Sequence, residues 1–223
     1  MNRYETVVAG SSQQAVSTNK VLKNTYLLLS ATLGFSAIMA MVSMAVGVPP
    51  IAYLVSVIAA MVLGIFVLPR TANSSTGIGV IFLITGLLGF GLGSILTQYL
   101  ALPNGPQVIA TAFGGTGLIF LGLSGYALTS KRDFSFMGGF LFAGMMVLVL
   151  AMIANIFLQM PALALAVSGG IILVMSGFIL FDTSRIARGE ETNYIMATYG
   201  LYLSIFNIFI SLLQILGIMG GDE

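Results

Sequence analysis

Long apolar stretches without charge alternate along the chain with short polar breaks, and each stretch is about the length of a membrane-crossing helix. A hydrocarbon core of about 30 Å takes roughly 20 apolar residues as a helix. Two such spans fit between Lys23 and Arg70, near 25–46 and 51–69, divided at Gly47, Pro49 and Pro50. Two more, near 77–100 and 107–129, are divided by the turn Pro103, Asn104, Gly105, Pro106. A third pair, near 135–158 and 162–181, divides at Pro161, and a last span covers 194–218. The pattern predicts an all-α integral membrane protein of seven transmembrane helices. Residues 1–24 are polar and lack helical apolar spacing, so they are expected to form a flexible cytosolic tail ahead of a bundle over 25–223. The first apolar stretch is longer than the core of a cleaved signal peptide and is read as an uncleaved span.

Charge orients the bundle. Arg3, Lys20 and Lys23 precede the first span, and Arg70, Lys131, Arg132, Arg185 and Arg188 all fall in alternate breaks, while the opposite breaks hold no Lys or Arg. The positive-inside rule then predicts the N-terminus in the cytoplasm and the C-terminus, with Asp222 and Glu223, outside. Hydrophobic residues make up 58% of the chain and charged ones only 7%, which excludes a soluble domain, and a net charge of +1 spread over loops argues against nucleic acid.

The residues that are missing bound the chemistry. With no Cys and no His, thiol nucleophiles, disulfides, Cys/His zinc sites and histidine general bases are excluded, and so are Ser-His and H-E-x-x-H proteases. Neither an enzyme nor a cofactor is expected.

Polar residues inside the spans then carry the interest, because lipid cannot satisfy them. In the last span Ser204, Asn207, Ser211 and Gln214 recur at spacings of three, four and three, which places them on one helix face that Asn193, Ala197 and Gly200 continue. The other sides are apolar, so this helix is expected near the bundle centre. The stripe reads as interhelical packing or as part of a polar pathway. Asn155 and Gln159, four apart at the outer end of the fifth span, read as packing contacts or a helix end cap. Asp182 ends an apolar run, with Arg185 as a local partner and Arg70 as a distant one; it is either a paired boundary residue or a proton- or cation-sensitive switch. Gly89 and Gly93 in the third span, with Gly86 and Gly91, and Gly114, Gly115 and Gly117 in the fourth, predict close helix packing.

The segments Ala154 to Pro161, Lys131 to Gly139, Gly189 to Ile195 and Leu201 to Asn207 resemble the Bax inhibitor-1 family, and the likeness runs from Lys20 to Gly217. The resemblance implies a seven-helix fold with a central last helix, in a bacterial inner membrane. It also implies two activities. Some members are partners of a membrane-anchored AAA protease of the FtsH type, which grips a flexible N-terminal tail. Others are pH-sensitive calcium or proton leak channels, controlled by an aspartate on each of the last two helices and an arginine that locks the closed state. Asp182 matches the first aspartate and Arg70 lies near the arginine, but Ser204 stands at the second. A shared-proton gate and a calcium site both lose a carboxylate by that change.

Overall fold

The computed structural model describes the backbone of residues 3–130 and 132–219 and the side chains from Val16 onward, apart from Lys131. Lys131, Asp222 and Glu223 lie outside the described residues. Seven helices are long and apolar enough to cross a membrane, and no strand occurs among the described residues. They are α1 (Arg3–Val46), α2 (Ile51–Thr71), α3 (Ser75–Leu100), α4 (Gly105–Ser130), α5 (Gly138–Leu158), α6 (Pro161–Ala187) and α7 (Tyr194–Met219). Their breaks are the predicted ones. Pro49 and Pro50 and left-handed Gly47 separate α1 from α2, and Pro161 opens α6 at its first turn, where a missing N–H costs nothing.

Two boundaries differ from expectation. The backbone is helical from Arg3, so the segment expected as a tail continues the first span without a break; a helix already nucleated by the membrane segment adds residues without a new nucleation cost. Helix α6 runs five residues beyond Asp182 to Ala187, which puts the carboxylate inside a helix rather than at its end.

Helix α7 packs against α1, α3, α4 and α6, which makes it central as its apolar flanks predict. Its hold on α1 and α3 includes Tyr202, almost fully buried: the phenol donates to the Thr85 carbonyl at 3.3 Å and shares a 2.6 Å hydrogen bond with Ser36 Oγ. Helix α3 lies between α1 and α2. A Cβ on Gly89 would stand 2.2 Å from the Ser36 carbonyl oxygen and one on Gly93 2.5 Å from that of Ala40, so α1 and α3 meet backbone to backbone through the predicted GxxxG. On another side of α3, a Cβ on Gly91 would stand 2.8 Å from the Ser56 side chain of α2. The glycines of α4 behave otherwise. Of the predicted cluster Gly114, Gly115 and Gly117, the first and last face open space and Gly115 alone approaches a neighbour, Leu212, because α4 turns that side away from the bundle.

Helix α2 is not uniform. A π-helical turn at Leu63–Val67 precedes Pro69, which has no N–H to give to the regular ladder. The turn sets Gly64 against Tyr199 of α7, where a Cβ would lie 2.0 Å from the phenol oxygen.

Candidate functional site

The sites worth weighing lie along α6 and α7. Asp182 projects from α6 onto Gly200 of α7, and a Cβ at position 200 would lie 2.8 Å from its Oδ2. Beside the carboxylate is a cavity of about 200 Å³ lined by Asp182, Arg185, Glu191, Met196, Tyr199 and Gly200, among others. Glycine at 200 is what lets the carboxylate reach the helix backbone. The sequence signal for this contact was present, since Gly200 lies on the polar stripe of α7.

The arginines are placed differently from the sequence reading. Arg185 shares the cavity but pairs with Glu191 at 3.8 Å and lies over the Phe181 ring at 5.3 Å. Arg70 is exposed at the end of α2 and donates to the Phe66 carbonyl at 2.8 Å; it does not line the Asp182 cavity. The π-turn and Pro69 set the rotation of the last turn of α2, a feature the hydrophobic pattern does not reveal.

The polar stripe is distributed over short contacts. Ser204, 2% exposed, donates to the Gly200 carbonyl at 3.1 Å, and Asn207 donates to that of Leu203 at 2.8 Å. Ser211 is buried, and Gln214 accepts from Ser168 of α6 at 2.8 Å. The stripe therefore faces α6 at both its ends, through Gly200 and Gln214. Asn155 and Gln159 belong elsewhere. Gln159 ends α5 in the left-handed region (φ 51°), its N–H bonded to the Asn155 carbonyl, while Asn155 Oδ1 accepts from the Met160 N–H at 3.0 Å. Both close the exposed turn into α6, as an end cap does, and neither lies on the α7 stripe.

At the end of the bundle that carries the basic residues, Arg188 joins two loops. Its guanidinium pairs with Asp133, bonds the Ser135 hydroxyl and meets Glu190 at 2.9 Å. The Ser135 backbone N–H and then Arg188 hold the Asp133 carboxyl down at about 2. Next in the chain, Gly189 is left-handed (φ 74°) and abuts α1, with Thr18 Oγ1 2.7 Å from where a Cβ would sit. Asn193 completes the connection: its Oδ1 caps α7 by accepting from the N–H groups of Ile195 and Met196, and its Nδ2 donates to Ala72 and Asn73. Sequence reasoning missed this clamp, since ion pairs across loops carry no periodic signal. No group of three or more Asp or Glu able to hold a metal occurs among the described residues.

Seven apolar helices around a central last helix, with one carboxylate held inside the α6–α7 interface, define a polytopic membrane protein with no recognisable catalytic constellation among the described residues. Residues 18–221 match the family described as Inhibitor of apoptosis-promoting Bax1. A membrane protein of Vibrio cholerae is 56% identical over 96% of both chains, and Escherichia coli YccA, named a modulator of FtsH protease and also an inner membrane protein, is 51% identical over 93% of this chain and 94% of its own. A Pseudomonas aeruginosa protein is 47% identical over 99% and 98%. The chain belongs to the Bax inhibitor-1 family and is a multi-pass inner-membrane protein.

Proposed function

We propose that the chain is a non-enzymatic regulator that binds a membrane-anchored AAA protease of the FtsH type and slows its degradation of other membrane proteins. The observation that carries this reading is the 51% identity to YccA, a named modulator of FtsH protease, along 93% of the chain. The geometry supplies a mechanism. Helix α1 has 44 residues and is about 66 Å long, roughly twice the hydrocarbon core, so its N-terminal half extends beyond the bilayer. With the N-terminus cytoplasmic, residues 1–24 offer an ATP-driven pore an end to grip. The load then meets the Gly89 and Gly93 contacts and the Arg188 clamp, and the protease is occupied without completing extraction. Co-purification tests the grip: a chain lacking residues 2–18 is expected to lose association with the protease, and undiminished association would remove the tail from the account.

The cavity at Asp182 supports a second reading, a pH-sensitive calcium or proton leak. In that case Asp182→Asn changes cation or proton flux in liposomes and tail deletion does not. The hydrogen bonds of Ser204, Asn207 and Gln214, made within α7 and to α6, favour a packing role for the stripe over an open path, and so favour the regulator.

A further inference from the structure

Helix α5 is the least buried of the seven spans, and its packing partner among the helices is α6. Between the two lies a groove of about 560 Å³ whose lining side chains are all apolar, including Met137, Phe140, Val147 and Leu148 on the α5 side, with Gly170 and Leu173 on α6. Three properties identify its occupant. Glycines at 144, 170 and 177 draw α6 against α5, with Leu148 and Leu141 filling the contact, so the groove is a surface channel with a closed floor. Its extent along α5, from Met137 to Leu148, is about 16 Å, half of a hydrocarbon core of about 30 Å and therefore one leaflet deep. Its mouth lies at the basic end of the bundle, on the loop that leads from Arg132 into Met137. There Arg188 is paired with Asp133 and Glu190, whereas exposed Arg132, five residues before Met137, forms no ion pair among the described residues. A channel lined by apolar side chains disfavours a polar ligand, and an exposed cation in the loop that leads into it favours a negative headgroup.

We propose that the α5–α6 groove is a binding site for one acyl chain of an anionic phospholipid from the leaflet on the basic side, with its phosphate at Arg132. A lipid held there covers exposed apolar surface of α5 beside its contact with α6 and ties the α4–α5 loop to the membrane surface. The site requires neither the protease nor Asp182.

The chain contains no Trp, so a single introduced indole reports its own lipid neighbours. Val147→Trp places it in the groove and Leu121→Trp places it on the lipid-facing side of α4, each nine residues from the basic end of its helix and both at exposed positions. The full chain is reconstituted in phosphatidylcholine vesicles, and the indole is quenched by phosphatidylglycerol or phosphatidylcholine carrying brominated chains. At position 147, phosphatidylglycerol is expected to compete about five-fold better than phosphatidylcholine, the factor equivalent to roughly 1 kcal/mol for one basic residue at a membrane surface. At position 121 the two lipids are expected to quench equally. Adding Arg132→Gln to Val147→Trp should remove the preference while leaving quenching by both lipids. Equal preference at 147 and 121 would reduce the groove to ordinary lipid-facing surface. Weak quenching at 147 by every lipid would show that another protein or a second copy of the chain fills it. Either result overturns the proposal.

Discussion

Asp182 and Gly200 meet across the α6–α7 interface with no room for a methyl group between them: a Cβ on Gly200 would lie 2.8 Å from the carboxylate oxygen. Overpacking a tight contact costs about 1–3 kcal/mol. Gly200→Ala is therefore expected to lower stability toward SDS or heat in micelles by an amount in that range. Asp182→Ala should relieve much of the cost, giving a coupling of at least about 0.5 kcal/mol in a double-mutant cycle. Additive effects would mean that the two residues do not share the contact.

Two glycine pairs with the same sequence character are expected to respond in opposite directions. Gly89→Ala and Gly93→Ala push a methyl into the carbonyl oxygens of Ser36 and Ala40, and backbone cannot move aside as a flexible side chain can, so each should destabilise by about 1–3 kcal/mol. Gly114→Ala and Gly117→Ala meet open space and gain helix propensity, so they should be neutral or stabilising by up to about 1 kcal/mol. Thermal unfolding of the four variants in one detergent separates the two classes.

The contrast shows what the pattern of residues reveals and what it hides. Hydropathy placed all seven spans within a few residues of their ends, except for α1 and the last turns of α6, because an apolar run has to stop where water begins. The central position of α7 followed from one polar stripe among apolar flanks. Which glycines touch a neighbour did not follow, since it depends on the rotation of α4 in the bundle. Arg70 was expected toward Asp182, yet the π-turn ahead of Pro69 leaves it exposed on its own helix. The Arg188 clamp joins residues 53 and 55 positions apart through loops and left no trace in any period.

The Arg188 clamp should matter to a protease that pulls on the N-terminus, because left-handed Gly189 beside it rests on α1 at Thr18. Arg188→Gln is expected to raise the rate at which the protein itself is degraded by roughly two- to five-fold, the modest effect of losing partly exposed ion pairs that limit local opening. Gel-based turnover in proteoliposomes measures it, and an unchanged rate would show that the clamp bears none of the load.

The same clamp has a defined response to acid. The Asp133 carboxyl titrates at about 2 in the folded protein, below its usual 3.8, because the Ser135 N–H and Arg188 bind the ionised form. A depressed value means that its contribution is fully present above about pH 4 and is lost as the pH falls through 2. Hydrogen exchange at the Ser135 amide should therefore be flat in protection between pH 7 and pH 5 after correction for intrinsic rate. Asp133→Asn should lower that protection at neutral pH, and a loss of protection already at pH 6 in the unaltered chain would contradict the assignment.

Regulation of a membrane protease through the N-terminal segment can be read in a single assay. The most direct test is the degradation rate of a model membrane substrate by an FtsH-type protease in proteoliposomes, with this protein, with its tail-less form lacking residues 2–18, or with neither, at matched lipid ratio. Degradation is expected to slow with the full chain and to return to its uninhibited rate with the tail-less one. A rate indifferent to the full chain, or slowed equally by both forms, would contradict regulation through that segment.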